Sequence, residues 1–207
     1  MDKIVVIGCG GHAKSVIDVI VSSGKYELSG IIKPHSEYPV KTTSPECIGT
    51  YDDFEKLVSQ GLSNFIAAIG DNRIRKDVFH KAVSAGMTPV NVLSSFCYVS
   101  NDVKLGNGIF VMHGAVINSG TTINDNCIIN TNASVDHDCF IEKHGHVCPG
   151  SVLAGSVFVD EGALLGAGCT ILPEITIGAW SICGAGSVVT KNVDSHDTVI
   201  SVSARSI

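Results

Sequence analysis

The fold of this chain is decided by the stretch TTINDNCIINTNASVDHDCFI, residues 121–141. An aliphatic residue recurs there at every sixth position, and the same spacing extends outward in both directions, from Val99 to Val189. Of the sixteen positions in this series, only Cys183 is not Val, Leu or Ile. A six-residue period of this kind predicts a β-helix of triangular coils, three hexads to a coil, with the aliphatic side chains stacked inside.

The residues around each aliphatic position suit the corners of such a coil. The position two residues earlier is mostly small, and Cys97, Cys127, Cys139 and Cys169 occupy it, so we interpret these cysteines as compact core residues rather than disulfide partners. The position that follows is often Gly, Asn or Asp, which tolerate turns with positive φ. About five coils are expected, from roughly residue 97 to residue 192.

The first 93 residues carry a different pattern, which predicts a small α/β domain. Apolar runs at 3–7, 28–32, 64–69 and 89–93 are predicted strands, and helices are predicted at 15–23, 51–59 and 73–85. Alternating strands and helices favour a parallel sheet, here about half of a doubly wound, Rossmann-like fold. We therefore expect two domains, at 1–93 and 94–207, the second ending in a short tail.

Composition and charge exclude several classes of protein. The net charge is −6 and no basic run exceeds two residues, which argues against a nucleic-acid partner. No stretch of 18 apolar residues is present, and the first residues lack the pattern of a signal peptide. We expect a cytoplasmic protein with no membrane partner, in which the eight cysteines stay reduced.

A glycine-rich loop, Gly8-Cys-Gly-Gly-His-Ala-Lys14, follows the first predicted strand. It matches the Gly/Ala form of the dinucleotide fingerprint, and its backbone could approach a diphosphate at a helix N-terminus. Lys33, however, stands where an NAD site needs an acidic residue for the ribose. Three interpretations stay open: a sugar-nucleotide site, an NAD site and a structural turn. His12 is either a ligand contact or an exposed loop residue.

His137 lies at a predicted corner of the coil with an aspartate on each side. A neighbouring carboxylate fixes the tautomer of an imidazole and raises its basicity, which suits a general base. Gly155, 18 residues further on, is one coil along, where its N–H could stabilise an oxyanion. His144 and His146 follow at spacings that form no recognisable zinc triad. A polar turn residue and a zinc site remain the alternatives for His137.

The glycine loop and the hexad array with NTNASVDHD at 130–138 together resemble the bacterial sugar acyltransferases of surface-glycan pathways. That family includes sialic-acid O-acetyltransferases and N-acetyltransferases of nucleotide-linked 4-amino-4,6-dideoxysugars, and the resemblance covers nearly the whole chain. It implies a left-handed parallel β-helix, a homotrimer, acetyl-CoA bound between neighbouring β-helices without a metal, and a sugar nucleotide bound by the N-terminal domain.

The resemblance also implies roles for single residues. His137 corresponds to the catalytic base, Asp138 to the acid that supports it and Gly155 to the oxyanion donor. The positions implied for acetyl-CoA are His146, Gly166, Ala167, Gly184, Ala185 and Arg205. The positions implied for the sugar nucleotide are Gly8, Gly10, Gly11, His12, Lys33, Gly70, Asp71 and Asn72. Two positions depart from the family pattern: relatives often have Asp in place of Lys33, and usually Pro in place of Ser203.

The leading hypothesis is an N-acetyltransferase that moves acetyl from acetyl-CoA to the 4-amino group of a UDP- or dTDP-linked 4-amino-4,6-dideoxysugar, for the synthesis of surface glycans such as the O-antigen of lipopolysaccharide. The phrase AIGDNRIR at 68–75 resembles its N-acetylating members. The alternatives are an O-acetyltransferase of sialic acid or a related sugar, a non-catalytic sugar-nucleotide-binding trimer and, last, a zinc lyase. An acyl-cysteine route through Cys139 or Cys148 is disfavoured, because the first is an inward corner residue and the second has no sequence-adjacent base.

Overall fold

Residues 2–89 form a parallel sheet with helices on both faces, as their apolar runs predict. The computed structural model describes residues 1–40 and 45–201. The strands of this sheet are β1 (Asp2–Ile7), β2 (Tyr26–Lys33), β3 (Cys47–Thr50), β4 (Asn64–Ala67) and β5 (Thr88–Pro89), and the helices are α1 (Gly11–Ser23), α2 (Phe54–Ser59) and α3 (Asn72–Ser84). The strands lie in the order β3-β2-β1-β4-β5, and all neighbours are parallel.

Successive residues of the central strand β1 point to opposite faces of this sheet and so build two cores. Ile4 and Val6 pack with α1, whereas Val5 and Ile7 pack with α2 and α3. None of these four side chains is exposed to solvent. The continuous apolar run at the start of the chain is therefore a strand that is covered on both sides.

Two details of the predicted sheet differ from the structure. The strand predicted at 89–93 is split, since Thr88–Pro89 pairs with β4 while Val92–Leu93 pairs with Phe110–Val111 of the β-helix. The short edge strand Cys47–Thr50 was not predicted, because it has no apolar run. Proline at the end of β5 cannot donate to a further ladder, and the chain leaves the sheet there.

The remaining strands form three parallel sheets, which are the three sides of a triangular β-helix. The strands are β6 (Val92–Leu93), β7 (Tyr98–Val99), β8 (Lys104–Leu105), β9 (Phe110–Val111), β10 (Val116–Ile117), β11 (Thr122–Ile123), β12 (Ile128–Ile129), β13 (Ser134–Val135), β14 (Phe140–Ile141), β15 (His146–Val147), β16 (Val152–Leu153), β17 (Phe158–Val159), β18 (Leu164–Leu165), β19 (Thr170–Ile171), β20 (Thr176–Ile177), β21 (Ile182–Cys183), β22 (Val188–Val189) and β23 (Thr198–Val199). Face I contains β6, β9, β12, β15, β18, β21 and β23, face II contains β7, β10, β13, β16, β19 and β22, and face III contains β8, β11, β14, β17 and β20. Neighbouring strands pair at an offset of 18 residues, as between Ser134 and Val152, which is one coil of three hexads.

The aliphatic series predicted to point inward is the core of this β-helix. From Val111 to Val189 every member of the series is buried, including Cys183, and the small residues two positions earlier fill the corners. Val99 and Leu105, in the first coil, are partly buried against the same core. The hexapeptide interpretation is therefore confirmed, with the β-helix starting one strand earlier than predicted and ending one strand later.

The turns place positive φ at a different position from the one predicted. The residue directly after the aliphatic position is expected to adopt it. In the structure positive φ occurs at the third residue after the aliphatic position, as at Asp138 and Gly162. Directly after the aliphatic position, glycine instead makes room for the next coil. A Cβ at Gly166, for example, would lie 2.6 Å from the backbone N of Ala185.

The α/β domain covers face I of the β-helix. Phe110 and Ile128 project from this face into one apolar cluster with Val16 and Val19 of α1. The corner between faces II and III lies on the opposite edge of the triangle and carries residues 118–121, 136–139 and 154–157. Within the described parts of the chain, none of the helices has the length and apolar character needed to cross a bilayer.

Candidate functional site

The glycine-rich loop forms one wall of a cavity of about 550 Å³, which we call the loop cavity. Burial raises the pKa of Tyr51, in its wall, to about 12, so this phenol stays protonated. The open loop and the aromatic walls suit a flat, polar ligand such as a nucleotide. The residues that line the cavity are Gly8, Cys9, Gly10, Gly11, His12, Pro34, Tyr38, Tyr51, Ala68, Ile69, Gly70 and Ile74.

The glycines of the loop have different physical roles. Gly8 has φ +135°, and a Cβ there would lie 2.5 Å from the carbonyl oxygen of Ala68, so the fold itself requires glycine. Gly10 and Gly11 face open space among the described residues, since a Cβ added at either would meet none of their atoms within 4 Å. Helix α1 starts at Gly11 without a side-chain cap and without an acidic residue in its first turn. Its first N–H groups, which no side chain of residues 1–40 or 45–201 caps, and its dipole therefore favour an anionic group in the cavity.

The other positions implied for the sugar nucleotide are divided between the cavity and the domain contact. Gly70 lines the loop cavity, but Lys33 does not, and its Nζ donates instead to the carbonyl of Ser36. Asp71 caps α3, its carboxylate accepting from the backbone N–H of Ile74 at 2.9 Å. Asn72 is buried and points towards the β-helix, where its amide donates to the carbonyls of Gly162 and Ala163 at 3.0 and 3.2 Å.

His12 of the loop and His146 of the β-helix meet where the two domains are in contact. Their ring centroids are 6.2 Å apart, and within the described residues neither His12 Nε2 nor His146 Nδ1 has a hydrogen-bond partner. Burial lowers the pKa of His12 to about 4 and that of His146 to about 3, so both rings are neutral at pH 7. The other ring nitrogen of His146 lies 3.2 Å from the amide nitrogen of Asn130.

Arg75 joins the edge of the loop cavity to the β-helix. It is fully buried, and its pKa is lowered to about 10 by that burial. Its guanidinium donates to the carbonyls of Ile69, Asn126 and His144 at 3.0, 3.2 and 2.7 Å and to Oδ1 of Asn72 at 2.9 Å. No carboxylate forms an ion pair with it among the described residues, so its direct hydrogen-bond partners are carbonyl oxygens.

His137 and Asp138 form a hydrogen-bonded pair at the corner between faces II and III. His137 Nδ1 lies 2.8 Å from Oδ2 of Asp138, and since a carboxylate only accepts, Nδ1 is the donor. The bond to Asp138 and the charges of Asp136 and Asp138 raise the pKa of His137. The imidazole is 59% exposed, and within residues 1–40 and 45–201 no group bonds to its Nε2. That nitrogen is therefore free to accept a proton.

Two glycines on adjacent coils bracket this pair. A Cβ at Gly155 would lie 2.6 Å from His137 Nε2, and one at Gly120 would lie 2.3 Å from Oδ1 of Asp138. At the turn position that Gly155 occupies, other residues donate their N–H to an acid or amide just before them, as His137 does to Asp136. Gly155 follows an alanine, and its N–H has no acceptor among the described residues.

The remaining implied positions lie elsewhere on the β-helix. Ala167 and Ala185 are exposed on consecutive coils, at the corner between faces I and II. Gly166 and Gly184 precede them, and Gly166 is glycine because a Cβ there would clash with the backbone of the next coil. Arg205, like Ser203, lies outside the described residues.

Three residues that contribute to this region are not predicted as site residues from the sequence. Arg75 ends the phrase AIGDNRIR, from which no role for this single residue follows, although its place on the apolar side of α3, beside Val78 and Phe79, is a signal of burial. Asn130 lies in the motif NTNASVDHD, which gives no sign of its contact with His146. Tyr38 of the cavity wall lies in a polar stretch with no periodicity, so no pattern could have selected it.

Comparison with known proteins gives consistent matches for both domains. Residues 3–82 match the family described as the PglD N-terminal domain. PerB from Caulobacter crescentus, solved with CoA and GDP-perosamine, is 40% identical, with 99% of this chain and 97% of that chain covered and a TM-score of 0.92. The acetyltransferase domain of PglB from Neisseria gonorrhoeae, solved with acetyl coenzyme A, is 30% identical, with 96% of each chain covered and a TM-score of 0.89.

Curated sequences match over shorter stretches. Serine acetyltransferase 2 of Arabidopsis thaliana is 56% identical over 41 residues, which is 20% of this chain and 13% of that protein. The chain spans a fifth or less of the length of the curated relatives it matches. The near full-length structural matches decide the family and confirm the expected fold class. This chain belongs to the acetyl-CoA-dependent sugar acetyltransferases that combine a PglD-type N-terminal domain with a left-handed β-helix.

Proposed function

We propose that this protein transfers the acetyl group of acetyl-CoA to the 4-amino group of a nucleotide-linked 4-amino-4,6-dideoxysugar, in the cytoplasm, for surface-glycan synthesis. The observation that carries the proposal is the His137–Asp138 pair at 2.8 Å with its free Nε2 beside the unpaired N–H of Gly155. PerB, which binds CoA and GDP-perosamine, supports the choice of substrate class. Residues 1–93 bind the sugar nucleotide in this proposal, and residues 94–207 bind acetyl-CoA.

The residues divide the chemistry of direct acetyl transfer between them. The sugar amine attacks the thioester carbonyl, and His137 Nε2 takes the proton that the amine loses. Asp138 holds Nδ1–H and stabilises the imidazolium that results. The N–H of Gly155 donates to the oxyanion of the tetrahedral intermediate. As the C–S bond breaks, the proton on His137 passes to the CoA thiolate, which leaves as the thiol.

The nucleotide and the acetyl donor are assigned to opposite sides of the domain contact. In this proposal the diphosphate binds at Gly10, Gly11 and the start of α1, and the sugar extends towards His12 and His146. The open backbone of the loop and the positive end of the helix dipole support this orientation. The pantetheine arm of CoA passes over Ala167 and Ala185, whose small side chains leave the coil surface flat.

One copy of the chain cannot bring these parts together, which is why we propose a homotrimer. The loop cavity opens beside face I, whereas His137 lies at the corner opposite that face. A neighbouring copy would supply His137 to the cavity of the first. Exposed apolar side chains on face II, among them Tyr98, Val152 and Val188, support burial of that face against another copy.

The first experiment is a substrate panel with CoA thiol release as the readout. The acceptors are GDP-, UDP- and dTDP-linked 4-amino-4,6-dideoxysugars, with free sialic acid as the O-acetylation arm. We expect turnover with at least one of the aminosugar nucleotides and none with sialic acid. His137→Ala is expected to lower kcat by about 10²–10⁴ with a small change in KM. Turnover of sialic acid alone would favour the O-acetyltransferase, and binding of a sugar nucleotide without any thiol release would favour a non-catalytic trimer.

The shared site is tested by mixing two inactive variants. His137→Ala and His12→Ala each lack a different half of the proposed site, so neither homotrimer should turn over. If a site joins His137 of one copy to the cavity of another, random mixing of the two chains restores about a quarter of the sites. If both residues belong to a site within one chain, every site keeps a defect, and mixed trimers would stay inactive.

A further inference from the structure

A second carboxylate, Asp136, holds the segment that carries His137. Its Oδ1 accepts the backbone N–H of His137 at 2.8 Å and the side-chain amide of Asn118 at 3.0 Å. Asn118 lies 18 residues earlier, on the adjacent coil, and its own N–H donates to the carbonyl of Val135 at 2.9 Å. One side chain of the adjacent coil thus reaches the backbone of His137 through a single intermediate carboxylate.

Further bonds tie the same turn to the adjacent coil. The hydroxyl of Thr121 donates to the carbonyl of Asp136 at 2.9 Å and accepts the N–H of Cys139 at 3.2 Å. The N–H of Asp138 donates to the carbonyl of Ser119 at 3.0 Å. Hydrogen bonds at both ends of the turn fix its backbone. The imidazole of His137 can therefore move only by rotation about its own χ angles.

The acids around this corner differ in their effect on the pKa of His137. Asp102 and Glu174 lie two coils away from the turn, one on each side, and Asp102 accepts from the hydroxyl of Ser119 and the N–H of Gly120. Of the acids that the structure describes, the two aspartates beside His137 are the ones that raise its pKa, Asp138 through its bond to Nδ1 and by charge, and Asp136 by charge. The same negative charge stabilises the imidazolium that forms when a base accepts a proton.

We propose that Asn118 and Asp136 are positioning residues for the general base: Asn118 fixes Asp136, and Asp136 fixes the backbone of His137. This inference rests on the proposed function, in which His137 takes the proton of the acceptor. Neither residue touches the reacting atoms in it. Their effect reaches the reaction through the place and the basicity of the imidazole.

The chain offers a matched control one corner further along. Asn124 donates to Oε2 of Glu142 at 3.0 Å, and the same oxygen accepts the N–H of Lys143 at 3.1 Å. This is the arrangement of Asn118, Asp136 and His137, with lysine in place of the histidine. Changes there disturb a turn of the same kind without acting on the base.

The first test compares Asp136→Asn with Glu142→Gln. The amide oxygen still accepts the backbone N–H, so the substitution removes charge and keeps the bond. We expect the pKa of His137, followed by NMR of the imidazole and assigned with His137→Ala, to fall in Asp136→Asn, because one of the two negative charges that raise it is removed. The acid limb of the kcat profile should move to lower pH by the same amount. Glu142→Gln should change neither quantity.

The second test compares the kinetics of Asn118→Ala with those of Asn124→Ala, after thermal denaturation has shown that the two variants are equally stable. Loss of positioning lowers kcat about tenfold with KM nearly unchanged, and only in Asn118→Ala. Equal kcat in the two alanine variants, together with an unmoved His137 pKa in Asp136→Asn, would overturn the inference. A wild-type protein that acetylates no nucleotide aminosugar is a failure of the proposed function instead, and the NMR titration then decides the inference by itself.

Discussion

Gly155 lies against the imidazole of His137 so closely that a Cβ at position 155 would stand 2.5 Å from Cε1 of the ring. The backbone of Gly155 is not in the left-handed region, so alanine could adopt its conformation. Glycine is needed there for space and not for its φ angle. The ring that it accommodates is the one we propose as the general base.

Gly155→Ala is therefore expected to displace the imidazole and lower kcat by about tenfold to a hundredfold, since a misplaced base loses the near-attack geometry. The free energy of unfolding should change by less than in Gly24→Ala. Gly24 ends α1 with φ +61° and has open space around it, so alanine there strains the backbone by about 1 kcal/mol but leaves turnover intact. The two variants are compared by steady-state kinetics and urea denaturation, and an unimpaired Gly155→Ala would refute the spatial role.

Asp138→Asn is expected to change the pH profile in a definite direction. The carboxylate raises the pKa of His137, and removing its charge lowers that pKa. The imidazole then stays unprotonated to lower pH, so the acid limb of the kcat profile moves to lower pH while the plateau falls because the base is weaker. Steady-state rates across the pH range measure both effects. An acid limb that moves to higher pH would contradict the assignment.

Arg75→Met should be among the most destabilising single substitutions in the chain. It leaves the buried carbonyls of Ile69, Asn126 and His144 without their donor, and each unpaired group costs about 1–3 kcal/mol. Arg73→Met is the control, because Arg73 is exposed over the ring of Trp180, a contact that contributes about 0.5–1 kcal/mol. Urea denaturation measures both, and equal losses would show that the buried guanidinium does not join the domains.

The protein should lose stability on mild acidification. Burial lowers the pKa of His12 and of His144 to about 4 and that of His146 to about 3. In the unfolded chain these groups titrate near pH 6.5, so below that pH the unfolded state binds more protons than the folded state. The stability that these three histidines contribute is therefore fully present above about pH 6.5, and the free energy of unfolding falls progressively towards pH 4.

Urea denaturation at several pH values checks this dependence. His144→Asn, which removes one of the three buried rings, should make the fall with pH less steep. His35→Asn replaces an exposed histidine in the loop after β2 and should leave the slope as it is. A free energy of unfolding that is constant between pH 7 and pH 4.5, or that rises as the pH falls, would be the contrary result.

Local pattern was sufficient for the β-helix and for the candidate base. The six-residue period sets which side chains point inward, and the 18-residue coil sets which residues stack, so the closeness of His137 and Gly155 follows from arithmetic on the sequence. The glycine loop, with its strand before and helix after, was equally visible. The assignments of individual residues to substrate and acetyl-CoA came from the resemblance and remain predictions.

Contacts between the domains were not accessible in the same way. The meeting of His12 with His146, the carbonyls around Arg75 and the amide of Asn72 on Gly162 join residues that are about 50 to 130 positions apart. They depend on which face of the β-helix the α/β domain covers and at what angle, and no repeat or periodicity encodes that choice.

The sequence by itself determined a coiled core, a glycine-rich loop between a strand and a helix, and an imidazole between two carboxylates, because each depends on neighbours along the chain or on a fixed repeat. Only the tertiary structure decided that the loop cavity and His137 lie on opposite sides of the β-helix. The reason is that the first domain packs on face I and buries its apolar surface. Such burial depends on contacts between segments that are far apart in the chain, whereas the repeat of the β-helix depends only on neighbouring hexads.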